Sequence, residues 1–172
     1  MKRPSVFLAS TIVVALLASG CSGQSPAAAI APNAAPEFDL AVVNGNGSLT
    51  TADLKGKVTV MDFWATWCEP CKTEIPKFNE LFDKYASDPF QMVGVTIQSG
   101  SAEDIKLKVE ELKMKYPVVV GDDNVAEGFG GVLGYPMTFL VNKDGTIYKK
   151  YMGALPDKQE QLERDIDTLL KN

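Results

Sequence analysis

The sequence predicts an α/β domain: a mixed central sheet flanked by helices, with an N-terminal hairpin and a helix–strand insert. Three observations predict it. Strand-like and helix-like runs alternate along the chain, a pattern that builds a sheet with helices on its faces. Val58-Thr59-Val60-Met61-Asp62-Phe63-Trp64 is mostly apolar on both faces, as in a central strand covered on each side. The chain then closes on a hairpin and an amphipathic helix, which makes the sheet mixed rather than wholly parallel.

In order, Phe38 to Val43 is strand-like, and the turn signal Asn44-Gly45-Asn46-Gly47 folds it into a hairpin with Ser48-Leu49. Thr51 to Leu54 is a short turn, broken by Gly56. After the central strand, a helix over Lys72 to Tyr85 places Ile75, Phe78, Leu81, Phe82 and Tyr85 on one stripe. Pro76 inside it removes a backbone donor and predicts a kink. Met92 to Ile97 is a second buried strand. Ser101 to Lys115 is a polar helix with Ile105, Val109 and Leu112 on one face, and Pro117 to Val120 is a short strand; together these form the insert. Val125 to Phe129 makes a helical turn ended by Gly130 and Gly131. Met137 to Val141 and Ile147 to Met152 flank the turn Asn142-Lys143-Asp144-Gly145. Asp157 to Leu170 is the last helix, with Leu162, Ile166 and Leu169 inward.

The start of the chain reads as an address. Lys2 and Arg3 precede an apolar run from Val6 to Ala18, the pattern of an export signal and too short for a transmembrane span of roughly 20 residues. Ala18-Ser19-Gly20-Cys21 resembles the lipobox of bacterial lipoproteins, in which the cysteine is lipidated and becomes the mature N-terminus. Residues 1–21 are therefore expected to be a lipoprotein signal ending on a lipidated Cys21. Residues 22–36, rich in Ala, Pro and Ser, are expected to be a tether reaching roughly 45 Å at about 3.1 Å per residue. Residues 37–172 are the folded domain, working outside the cytoplasm. The alternatives are a plain signal peptide or an uncleaved anchor, with Cys21 incidental.

Composition narrows the chemistry. The 172 residues carry 17 basic and 22 acidic side chains, net −5, with no basic stripe, which argues against nucleic-acid binding. There is no histidine, so imidazole catalysis and imidazole metal ligands are absent. Three cysteines are too few for a disulfide scaffold.

The chemistry gathers at Trp67-Cys68-Glu69-Pro70-Cys71. Zinc wants four ligands and iron–sulfur clusters more thiolates than this chain has. A c-type haem site needs histidine after the second cysteine, where Lys72 stands. A structural staple with a two-residue loop constrains the unfolded chain little. What remains is a redox dithiol, with no metal and no added cofactor: the Cys68–Cys71 disulfide is itself the redox group. Cys68, where strand gives way to helix, meets unpaired amides and the positive end of the helix dipole, which stabilise a thiolate. Cys68 is then the nucleophile, and Cys71, one turn further in, resolves the mixed disulfide.

Phe63-Trp64-Ala65-Thr66-Trp67-Cys68-Glu69-Pro70-Cys71-Lys72, with Pro76 beyond it and Gly134-Tyr135-Pro136 before a strand, resembles the thioredoxin superfamily. The lipoprotein start, the hairpin and the insert narrow the resemblance to its TlpA/ResA-like extracytoplasmic thiol–disulfide oxidoreductases. The resemblance implies a thioredoxin-like fold and a cis Pro136 packed against the dithiol, with Tyr135 pairing an extended substrate segment. It implies protein disulfides as substrates, apocytochrome c before haem attachment among them, and a transmembrane thiol-electron donor.

Two acids compete for the proton of Cys71. Asp62 matches the buried acid of thioredoxin, but the position of thioredoxin's partnering lysine is Val95 here. Glu74, three residues after Cys71 on the same helix face, matches the active-site glutamate of ResA-like proteins. We take Glu74 as the functional acid; a solvated helix residue is its plainer reading. A buried role suits Asp62, since a charge within an apolar strand needs a reason. Glu69 opposes a thiolate on Cys68 and so disfavours the reduced form; with Pro70 it tunes the couple to be more reducing. Trp67 either lines the docking surface or packs in the core. The alternatives to a specific reductase are a broader reductase or isomerase, or a binding lipoprotein that uses this fold without turnover.

Overall fold

The computed structural model describes residues 33–172. Twelve segments follow one another. β1 (Asp39–Ala41) and β2 (Ser48–Thr50) form a hairpin, followed by a 3-10 turn at Thr51–Leu54. Then come β3 (Val58–Trp64), α1 (Glu69–Lys84), β4 (Phe90–Thr96), α2 (Ala102–Glu111), β5 (Val118–Val120) and α3 (Asp123–Gly128). β6 (Met137–Val141), β7 (Ile147–Met152) and α4 (Lys158–Lys171) complete the domain.

The main sheet has the order β5-β4-β3-β6-β7. β3 pairs in parallel with β4, and β4 with β5, while β6 runs antiparallel to both β3 and β7. β3, whose seven residues are all buried, is thus the central strand that its two-faced apolar pattern predicts. Alternation along it sorts the core. Val58, Val60 and Trp64 face one way and join α1, α2 and α4 through Ile75, Phe78, Leu81, Ile105, Val109, Leu162 and Ile166. Met61 and Phe63 face the other way, with Val93, Val95 and Phe139, toward α3 and the N-terminal segment. Asp62 is in phase with Val60 and Trp64, so its carboxylate lies on the α1 and α4 side.

Helix boundaries shift slightly from the sequence expectation, for capping reasons. α1 begins at Glu69 because Cys68 itself caps it. It continues without interruption through Pro76. α2 starts on the reciprocal cap of Ser101 and Asp104 and stops at Glu111, with Lys113 at φ 52°. The loop of the hairpin is pinned: the Asn44 side chain donates to the Tyr116 carbonyl at 2.9 Å and accepts from the Val118 amide at 2.8 Å. Val42 also bridges Val119. This covers part of the free edge of β5.

Residues 33–36, which the sequence reading places in the tether, run along the domain. Ala34 bridges Thr146, the Ala35 amide donates to the Gly145 carbonyl at 2.9 Å, and Ala35 is buried. Alanine and proline carry no periodic signal, so these contacts are invisible in composition. Cys21 and the signal segment lie outside the described residues.

Candidate active site

β3 ends at Trp64, and the loop that follows is tied to the loop after β4. The Thr66 amide donates to Ser99 Oγ at 3.2 Å, and Thr66 Oγ1 donates to the Ser99 carbonyl at 3.1 Å. This holds Cys68 at the start of α1. Cys68 is its N-cap, and its sulfur accepts the Cys71 backbone N–H at 3.2 Å. A sulfur in that position faces the free amides and positive end of the helix, where a thiolate is stabilised. Cys68 and Cys71 are joined as a disulfide, and both are buried. Pro70, in the first turn of the helix, supplies the fixed φ suited to a helix start and offers no amide there.

Before β6, the Tyr135–Pro136 peptide is cis. Pro136 is buried, and its carbonyl accepts the Gly153 amide at 2.9 Å. Tyr135 makes an edge contact with Trp67, ring centroids 5.6 Å apart. Trp67 is 61% exposed and its indole N–H donates to the Gln98 carbonyl at 3.2 Å. The structure therefore rules out core packing for Trp67. Shallow hollows flank it on both sides, one toward Leu107 on α2 and one toward Leu133 and Tyr135. Glu69 is exposed and bonds Lys72 at 2.6 Å, so its charge is partly neutralised and open to solvent screening.

Both acids are buried, and the charge of a third group, Lys158, acts on each of them. Asp62 is buried and its Oδ1 accepts the Thr138 hydroxyl at 2.8 Å. Burial pushes its pKa up to about 7; the charge of Lys158 and the Thr138 hydrogen bond oppose the rise, and the charge of Glu74 adds to it. Glu74 is not a solvated helix residue: it is buried and both its oxygens meet Lys158 Nζ, at 2.8 and 2.9 Å. Burial pushes Glu74 upward too, while the hydrogen bond and charge of Lys158 hold it down. Val95 faces the opposite side of the sheet, in the α3 core, so no cation reaches these acids from β4.

Lys158 was missed in the sequence. The signal was there: Lys158, Leu162, Ile166 and Leu169 share one face of α4, and all four are buried. A lysine in phase with an apolar stripe is a buried charge that needs a partner.

A sheet of this order, with a disulfide capping the helix after its central strand and a cis proline before β6, is the thioredoxin-like thiol–disulfide oxidoreductase architecture, and this chain is such an enzyme. More particularly, it belongs to the AhpC/TSA family, whose model matches residues 32–150. Among curated relatives, the thiol-disulfide oxidoreductase ResA of Bacillus anthracis is 34% identical over 131 residues, covering 75% of this chain and 72% of that protein. Among solved structures, a thioredoxin-family thiol:disulfide interchange protein from Chlorobium tepidum superposes with a TM-score of 0.70 at 28% identity, over 81% of this chain and 97% of that one. The exposed lipoprotein thioredoxin Etrx1 of Streptococcus pneumoniae does so with a TM-score of 0.68 at 26% identity, over 78% and 100%.

Proposed function

We propose that this protein is a membrane-tethered reductase of disulfides in extracytoplasmic proteins. The observation that carries the reading is the Cys68 sulfur at the N-cap of α1, bonded by the Cys71 amide, with the loop of the cis Pro136 reaching the neighbouring Trp67 through Tyr135. In the reduced enzyme the Cys68 thiolate attacks a substrate disulfide and displaces one substrate sulfur as a thiolate. Cys71 then attacks Cys68, closing the Cys68–Cys71 disulfide and releasing the second substrate sulfur. The thiol of Cys71 is buried and must lose its proton in that step, so the Asp62/Glu74 acid pair serves as its base. Trp67, Tyr135 and Pro136 form the docking rim, with the Tyr135 backbone pairing an extended substrate segment. Pro70 and, weakly, the solvent-screened Glu69 tune the potential of the couple.

The lipobox-like Ala18-Ser19-Gly20-Cys21 and the lipoprotein among the structural relatives support a lipid anchor at Cys21 and a place on the outer side of a membrane. An oxidising compartment demands re-reduction, for which a transmembrane dithiol carrier is the matching donor. Apocytochrome c is the substrate implied by the TlpA/ResA-like resemblance. Disulfide exchange suits this site better than peroxide reduction: among the described residues the one arginine is Arg164, on α4 beside Asp165 and Tyr151.

The test is trapping. Cys71→Ser, expressed in the native envelope, should hold substrate proteins as mixed disulfides on Cys68. Mass spectrometry identifies them, and intact mass reports lipid on Cys21. A variant that traps no protein, together with a wild type unable to reduce insulin with dithiothreitol, would sink the reductase reading.

A further inference from the structure

Lys158 is an anomaly by every local rule. It is 2% exposed, it lies in the first turn of α4 where the helix dipole disfavours a cation, and it shares a face with Leu162 and Ile166. Its position is set by the loop 153–157. Gly153 bonds the carbonyl of Pro136, and the Lys158 amide bonds the Leu155 carbonyl at 3.2 Å. The chain that leaves the cis proline's partner thus delivers the ammonium to Glu74, 84 residues away in sequence.

We infer that Lys158 is a positioning residue for the dithiol chemistry: by clamping both oxygens of Glu74, it keeps that carboxylate ionised and places the proton shared by the two buried acids on Asp62. The inference rests on the dithiol reading above only in naming Cys71 as the thiol that the acid pair serves.

The groups that face this centre come from each element packed around it. β3 supplies Asp62, and α1 supplies Glu74 with Lys77 near it. β6 supplies the Thr138 hydroxyl, α4 supplies Lys158, and the segment before β5 supplies the buried Tyr116. Tyr116 stays neutral, its pKa pushed well above the usual value by burial and by the two carboxylates. Two carboxylates and one contacting ammonium in a buried site favour retention of one proton, because a second uncompensated anion there is costly. Glu74 holds the cation through two contacts, at 2.8 and 2.9 Å, whereas Asp62 has a neutral hydroxyl. The proton therefore resides on Asp62, the group whose ionisation burial moves to about neutral pH.

This divides the labour in the resolving step. As Cys71 Sγ bonds to Cys68 Sγ, the Cys68–substrate bond breaks and its electron pair leaves on the substrate sulfur. The proton of the Cys71 thiol passes to the acid pair, whose ionised form is the base. The dithiol loses two electrons and the substrate disulfide gains them; the departing substrate thiolate takes a proton from water. A cavity of about 180 Å3, lined in part by Glu74, Lys77, Leu155 and Lys158, lies beside the clamp. It brings solvent to the Glu74–Lys158 side of the pair.

The experiment is a carboxyl 13C NMR pH titration of the reduced wild-type protein, with the pH profile of the resolving step measured in parallel. Asp62 is expected to titrate near neutral pH while Glu74 remains ionised there. In Lys158→Met, both the Glu74 titration and the rate midpoint should move up by about one pH unit or more, the size expected when a close opposite charge is removed. Lys158→Arg should restore the wild-type pattern. If Glu74, not Asp62, titrates near neutral pH in the wild type, the assignment of Lys158 is overturned, and this arm stands even if Lys158→Met does not fold. An unmoved midpoint in a folded Lys158→Met overturns it equally. Insulin reduction by the wild type separates the two ideas: an inactive wild type counts against the reductase, whereas an active one with these titrations reversed counts against Lys158 alone.

Discussion

Asp62 shows what a single buried carboxyl does to the molecule. Its pKa rises from the ordinary 3.8 to about 7, chiefly because burial penalises the charged form. The folded state then binds the proton more tightly than the unfolded chain. The contribution to stability is full below pH 3.8, falls through the interval up to about 7, and is lost above it. Asp62→Asn keeps an oxygen for the Thr138 hydroxyl and has no charge to desolvate. It should be more stable than the wild type at pH 8, by about 2–4 kcal/mol at about 1.4 kcal/mol per pKa unit, and the advantage should vanish toward pH 4. Denaturant titrations of both proteins across this range check it. A stability difference that does not change with pH would show that Asp62 is ionised in the fold. The Asp62 position was legible as an anomaly in the sequence, since a lone acid interrupts an apolar strand. Its titration was not, because that depends on Lys158, Glu74 and Thr138, which reach it from three other elements.

At the scale of the element, the start of α1 concentrates the redox chemistry. Its cap is the sulfur itself, so the same unpaired amides that any helix must satisfy become the environment that favours a thiolate. Glu69 stands in that first turn, but in solvent and paired with Lys72. Its field at Cys68 is weak for the reasons that make exposed ion pairs weak. Glu69→Gln should raise the reduction potential of the Cys68–Cys71 couple, since an opposing charge is gone, and by less than about 30 mV, which for two electrons is about 1.4 kcal/mol. Redox equilibration against glutathione measures it; a larger shift would mean that Glu69 acts at the sulfurs unscreened. The strand–helix layout and the pairing of Cys68 with Cys71 follow from local pattern. The exposure of Trp67 does not: an aromatic residue beside a cysteine fits a core or a surface equally well, and the ties from Thr66 to Ser99 and from Trp67 to Gln98 turn it outward.

For the molecule as a whole, the domain begins before its first strand. Asn33 to Pro36 bond to the β6–β7 turn and to Thr51: the Ile147 amide donates to the Asn33 carbonyl at 2.8 Å, and Thr51 Oγ1 donates to the Pro36 carbonyl at 2.8 Å. A Cβ added at Gly128 would clash with the Pro36 ring, so α3 is also shaped to this segment. A chain starting at Glu37 should therefore be less stable than one starting at Asn33, by about 2–4 kcal/mol if each lost hydrogen bond contributes about 1 kcal/mol and the burial of Ala35 adds to them. Equal melting of the two truncated proteins would mean that these contacts contribute nothing.

By itself the amino-acid sequence determined the class of fold, the order of its strands and helices along the chain, and the dithiol. Each of these rests on periodicity, turn chemistry or spacing within a short window, which is the range over which local physics acts. Only the tertiary structure decided the electrostatics of the two buried acids. Glu74 and Lys158 are 84 residues apart, and their pairing requires that α1 and α4 pack on the same face of the sheet as Asp62. A buried charge takes its protonation state from whatever the fold brings against it, and no stretch of sequence contains that neighbourhood.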